Sequence, residues 1–115
     1  MRVTLKDGWF VSQYISGPRY AVLAIQIDDK PVVTPTIDAS FYGSMHPNEP
    51  ITTTPDLFMP AVREAESRVR SEYGMSLGVR SIRFDPRSTP ASEIYGWLAY
   101  DILRYVAENR LKSDI

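Results

Sequence analysis

Cysteine is absent from the chain, and histidine occurs once, at position 46. The lack of cysteine excludes disulfides, thiolate nucleophiles, iron–sulfur clusters and cysteine-bound zinc. His46 has only scattered carboxylates near it in sequence, at Asp38, Glu49 and Asp56, without the spacing of a metal motif. We therefore expect neither a metal site nor a cofactor.

Neither sign of charge dominates, since the chain has 13 lysines and arginines and 14 acidic residues, which gives a formal net charge of -1. This balance gives no electrostatic basis for binding nucleic acid or an anionic membrane surface. No apolar run approaches the roughly 20 residues of a membrane span, and the N-terminal residues lack the apolar region of a signal peptide. We expect a cytoplasmic protein that binds neither membranes nor nucleic acid.

Apolar residues make up 43% of the 115 residues, which is typical of one folded domain over 1–115. The first third alternates apolar and polar residues, as β-strands do. Asp7 and Gly8 predict a type I′ hairpin turn, and residues 28–30 predict a second hairpin. Pro35 lacks an N–H and is expected at a sheet edge or strand end. These signals predict a four-stranded antiparallel meander, with strands near 3–5, 9–15, 20–28 and 32–37.

The second half changes to helical periodicity. A helix is expected from about Pro60 to residue 73, ended by Gly74, with ion pairs Glu64–Arg68 and Glu66–Arg70 on its surface. A strand follows at 77–84, and a shift in its apolar phase between residues 79 and 82 predicts a β-bulge. The last helix is expected at 90–110.

The apolar residues of the last helix fill an arc of about 180°, which indicates packing on the sheet and on either the first helix or a second subunit. The sequence therefore predicts an α+β fold: a four-stranded antiparallel meander followed by α-β-α, with the helices packed on one face of the sheet.

A segment rich in proline, 35–60, holds five of the nine prolines and the histidine. Long connections of this kind are usually functional or disordered. Tyr42 and His46 are its candidate ligand-binding residues, but no second histidine exists and no G-x-S-x-G motif surrounds Ser40 or Ser44. We therefore interpret 38–53 as a contact loop rather than a catalytic one.

Arg80, Arg83 and Arg87 form a second candidate site on and after the predicted fifth strand. Arginine forks suit carboxylates and phosphates, so a nucleotide or another small anion is a conceivable ligand. Strand alternation places Arg80 and Arg83 on opposite faces unless the bulge brings them together, and ordinary ion pairing is the commoner role of such residues.

Trp97, Tyr100 and Arg104 form a third candidate site, on the side of the last helix opposite its apolar arc. Their i, i+3 and i, i+4 spacing makes them neighbours, and these residue types dominate interface hot spots. The alternative is that Trp97 belongs to the core.

Two functions therefore stay open. The first, which the sequence favours, is a non-catalytic interaction protein that self-associates or binds a protein partner through the last helix and the 38–53 loop. The second is a small anionic-ligand binding protein or modest enzyme, with a pocket between residues 38–56 and the sheet that uses Tyr42, His46 and the three arginines.

Overall fold

The computed structural model describes residues 2–39 and 51–113. Its first three strands, β1 (Val3–Lys6), β2 (Trp9–Ser16) and β3 (Arg19–Asp28), pair antiparallel in chain order. Asp7 and Gly8 have φ angles of 52° and 84°, so the predicted hairpin turn with two positive φ values is confirmed.

The predicted fourth strand of an antiparallel meander is wrong. Strand β4 (Thr36–Ala39) does not pair with β3; it lies at the sheet edge and pairs in parallel with β5 (Gly78–Phe84). The five-stranded sheet of the described residues therefore has the order β1-β2-β3-β5-β4 and is mixed rather than antiparallel. The physical reason is that β5, whose Val79, Ile82 and Phe84 are buried, takes the place beside β3, where a strand pairs with each of its edges.

The connection from β3 to β4 crosses the beginning of β5 at Gly78. A Cβ atom at Gly78 would lie 2.1 Å from the carbonyl oxygen of Lys30 and 2.8 Å from the backbone nitrogen of Val32. The crossing therefore requires a residue without a side chain. Two residues further along, the pairing of β5 with β3 shifts register between Gln26 and Ile27, which confirms the predicted bulge.

Helix α1 (Pro55–Tyr73) begins earlier than the predicted start at about Pro60, so Pro60 lies inside the helix. The amide that proline lacks would have bonded to the carbonyl of Asp56, in the first turn, where a helix tolerates a missing bond best. Gly74 ends the helix in the left-handed conformation, with φ of 67°, as expected. Helix α2 (Ser92–Ser113) completes the chain's regular structure.

One row of paired residues runs across the whole sheet and shows where the helices lie. It contains one residue from each strand, in the order Leu5, Phe10, Ile25, Ile82 and Ile37. The two central members are fully buried, whereas the edge residues are 61% and 36% exposed. Both helices pack on this face, so the expected α+β class is confirmed. The helices cover the middle strands, and α2 also contacts β1, where Val3 packs against the core while Leu5 stays exposed.

The side-chain-free crossing at Gly78 leads to a test of the fold. Gly78→Ala should lower the free energy of unfolding by about 2–3 kcal/mol, because backbone atoms of the β3–β4 connection must move to admit the methyl group. Urea denaturation measures this effect. The matched control is Gly96→Ala in α2, whose added Cβ would lie 3.4 Å from the Ala61 side chain. Helix propensity should leave that variant as stable as the parent or up to about 1 kcal/mol more stable. Equal stability of the Gly78 variant and the parent would contradict the crossing.

Candidate functional site

Helices α1 and α2 pack closely side by side, and this contact positions the three residues predicted on the last helix. Tyr100 points towards α1, where its hydroxyl donates to the Glu72 carboxylate at 2.9 and 3.0 Å. The Arg68 guanidinium lies 4.0 Å from the centre of the Tyr100 ring. Tyr100 therefore bridges the helices, while Trp97 and Arg104 remain about half exposed.

A groove of about 250 Å³ runs between the two helices; we call it the α1–α2 groove. Small residues, Ala61 and Ala65 on one side and Gly96 on the other, allow the helix backbones to approach each other. The aromatic side chains of Trp97 and Tyr100 line the same groove. Ligand pockets for drug-sized molecules usually measure 300–1,000 Å³, so this groove suits a single side chain rather than a cofactor.

Three charged side chains also line the α1–α2 groove: Glu64, Arg68 and Glu93. The predicted Glu64–Arg68 pair is wrong, because Arg68 bonds to Glu72 at 2.8 Å. Glu93 lies 3.6 Å from Arg19, and both of these side chains are about half exposed. Among the residues that the structure describes, Glu64 has no hydrogen-bonding or ionic partner.

A strip of apolar side chains follows the other side of α2, where the sheet extends beyond the helix; we call it the open flank. Two aromatic pairs between β2 and α2 form most of it, Tyr14 with Trp97 and Phe10 with Tyr105. Leu5 of β1, which pairs with Phe10, completes it. Leu5 is 61%, Trp97 47% and Tyr105 40% exposed. Trp97 is therefore neither plain core nor isolated, and it borders both the open flank and the α1–α2 groove.

The arginine group does not form one compact cluster in the described part of the chain. Arg80 is the extra residue of the β5 bulge and is exposed, and Arg87 lies in the turn after β5. Arg83 points to the sheet face that carries neither helix. Tyr42 and His46, the other two predicted ligand-binding residues, lie outside the described residues.

Arg83 makes an arrangement that the sequence does not reveal. Its guanidinium stacks 4.2 Å from the centre of the Trp9 ring, two strands away, and its Nε lies 3.5 Å from Asp38. The register pairs Arg83 with Ala24 of β3, and a residue this small lets the arginine reach across that strand to Trp9 of β2. The stacked side chains also account for the burial of Ala24 on a face without a helix.

A buried hydroxyl cluster joins the segment before α1 to the turn before α2. The Ser88 hydroxyl bonds to the Tyr95 hydroxyl and donates to the Asp85 carbonyl at 2.7 Å, while Thr53 and Thr52 donate to the Ser88 carbonyl. Burial raises the pKa of Tyr95. Thr52 is exposed, but the hydroxyls of Thr53, Ser88 and Tyr95 are buried and bonded to one another, so the cluster stabilises the fold.

Two partly buried tyrosines bond to carboxylates across the contact between α1 and α2. The Tyr73 hydroxyl donates to Glu108 at 2.7 Å, and this bond is the main cause that raises the pKa of Tyr73 to about 12. The pKa of Tyr100 is also raised, chiefly by desolvation and then by its bond to Glu72. Both phenols are therefore neutral donors throughout the physiological pH range.

No family model, curated protein or solved structure matches this chain. Within 2–39 and 51–113, no helix has the length and apolar character needed to cross a membrane. The same residues contain no group of three or more side chains suited to holding a metal ion. The site must therefore be judged by its geometry, which offers two contact surfaces that share Trp97.

The Tyr73–Glu108 bond predicts a specific alkaline transition. Because the folded pKa of Tyr73 exceeds that of the unfolded chain, this bond contributes stability below pH 10 and loses it as pH rises through about 12. Glu108→Gln should return the Tyr73 titration towards pH 10, as followed by tyrosinate absorbance. Tyr73→Phe, which removes that titration altogether, identifies the signal. An unchanged titration curve in Glu108→Gln would contradict the bond.

Proposed function

We propose that this chain is a non-catalytic interaction protein that self-associates through the open flank. The observation that carries the proposal is the exposure of Leu5, Trp97 and Tyr105 along one continuous strip beside α2. Aromatic side chains half exposed on a helix are typical of interface hot spots. The other side of α2 already packs against α1, so the open flank is the side left for a partner.

The composition of the open flank suits a second copy of the chain. A two-fold interface brings one patch against itself, so the patch must be complementary to itself. Trp97 and Tyr105 lie two turns apart, and Arg104 lies 3.6 Å from Asp101 between them. An ion pair therefore lies beside the strip, with Asp101 mostly buried and the Arg104 guanidinium 5.6 Å from the centre of the Tyr100 ring.

The size of an interface adds a constraint. The 22 residues of α2 make a helix about 33 Å long and about 10–12 Å wide, which offers roughly 350 Å². Stable interfaces bury about 800 Å² per partner, so α2 alone is too small. The proposed dimer therefore requires the edge strand β1, with Leu5, as well as the helix.

Sedimentation equilibrium over a wide range of protein concentrations tests the proposal. Trp97→Ala should raise the dimer dissociation constant about 30-fold, the value expected for a hot spot worth about 2 kcal/mol. Leu5→Lys should also weaken the dimer, because it introduces a charge at the required edge strand. The matched control is Val33→Lys, which alters an apolar residue that is 91% exposed away from the open flank. A parent protein that stays monomeric at all concentrations would overturn the proposal.

The anionic-ligand function is the second candidate, favoured by Arg83 alone among the described residues. The Trp9 ring holds the Arg83 guanidinium in place. The buried Nε of Arg83 has no hydrogen-bond partner in the described part of the chain. A preorganised guanidinium suits a phosphate or carboxylate. Asp38, 3.5 Å away, opposes this use because it already neutralises the charge.

Thermal unfolding in the presence of nucleotides, pyrophosphate and citrate tests the second candidate. A true ligand at about ten times its dissociation constant should raise the Tm by about 5 °C. Arg83→Ala should abolish the rise, while Arg87→Ala reports any general effect of charge. If none of the anions changes the Tm of the parent protein, the anionic-ligand function is excluded for them.

A further inference from the structure

The α1–α2 groove shares Trp97 with the open flank, but the proposed dimer does not use its small residues or the carboxylates of Glu64 and Glu93. Its floor consists of small residues, one wall is the half-exposed Trp97, and Glu64 and Glu93 lie at its rim. We propose that the groove binds a lysine or arginine side chain from a separate partner protein.

Charge is the first argument for a cation. Arg68 also lines the groove, but Glu72 opposes its charge at 2.8 Å, and its guanidinium is already stacked on Tyr100. Glu93 has a loose partner in Arg19 at 3.6 Å, whereas Glu64 has none among the described residues. The lining therefore has a net negative charge, because two carboxylates and one guanidinium line the groove.

Shape is the second argument. The close approach of Gly96 to Ala61 makes a narrow apolar floor, which suits the methylene stem of a long basic side chain. The indole face of Trp97 attracts a cation by its quadrupole, and the neighbouring carboxylates add to that attraction. A volume of about 250 Å³ accommodates one such side chain.

The tryptophan content of the chain makes a direct test available. It has two tryptophans, so a nitrogen-15-labelled sample gives two indole N–H signals, assigned by Trp9→Phe. Addition of hexalysine or hexaarginine should shift the Trp97 signal and leave the Trp9 signal in place. Hexaglutamate serves as the probe of opposite charge and should shift neither signal.

Substitutions at the rim separate specific binding from general attraction. Glu64→Gln and Glu93→Gln should each weaken binding of hexalysine about threefold, and together about tenfold, as expected for exposed ion pairs. Asp56→Asn, which removes the same charge elsewhere on α1, should leave the affinity unchanged. A Trp97 signal that does not move, or that moves equally in the double variant, would overturn the inference.

The oligomeric state of the same samples distinguishes this inference from the proposed dimer. A protein that is monomeric and binds hexalysine at Trp97 would contradict the proposed dimer and support binding in the α1–α2 groove. A protein that is dimeric and does not bind hexalysine would support the proposed dimer and overturn binding in the α1–α2 groove. Dissociation of a dimer by hexalysine would overturn the assignment to a separate partner, since the groove would then hold a basic side chain of a second copy.

Discussion

The passage of the chain across the start of β5 fixes the order of the whole sheet. Gly78 admits the crossing backbone, and a pair of side chains from α1 holds it in place. Arg63 donates to the carbonyls of Val32 and Val33 at 2.9 and 2.6 Å and to Glu66 at 2.8 Å, while Glu66 accepts the backbone N–H of Val79. Because Glu66 is buried, loss of Arg63 would leave its charge buried without a partner. The resulting loss of folding free energy would far exceed what the intact pair contributes to stability.

The position of α2 follows from this crossing. With β4 placed beyond β5, helix α1 connects two parallel neighbours and occupies the layer next to α2. Helix α2 then lies over β2 and β3 and contacts β1, where Val3 packs against the core, but Leu5 on the same side of β1 stays exposed. The open flank is therefore a consequence of topology: a layer of two helices is narrower than a sheet of five strands.

The sequence predicts the features that depend on neighbouring residues. The turn at Asp7–Gly8, the helix end at Gly74 and the β5 bulge each follow from local conformational preference or from a change of apolar period. The parallel pairing of β4 could not be predicted in this way, because each of its residues pairs with one 45 positions further along the chain. Ser88 gives no signal either, since a serine in a turn is ordinary by composition and becomes part of a buried cluster only when α2 brings Tyr95 to it.

Trp97 links the two proposed contacts energetically. Its side chain lies against Tyr14 in the open flank and also lines the α1–α2 groove. A partner bound at one of these surfaces would fix the indole of Trp97. A partner binding at the other surface would then lose less conformational entropy. Binding free energies are reciprocal, so a partner in the groove must change the affinity of the dimer by the same factor as dimerisation changes the affinity for the partner. If both proposed contacts form, the sharing of one aromatic side chain would couple the proposed self-association to the proposed partner binding without any movement of the backbone.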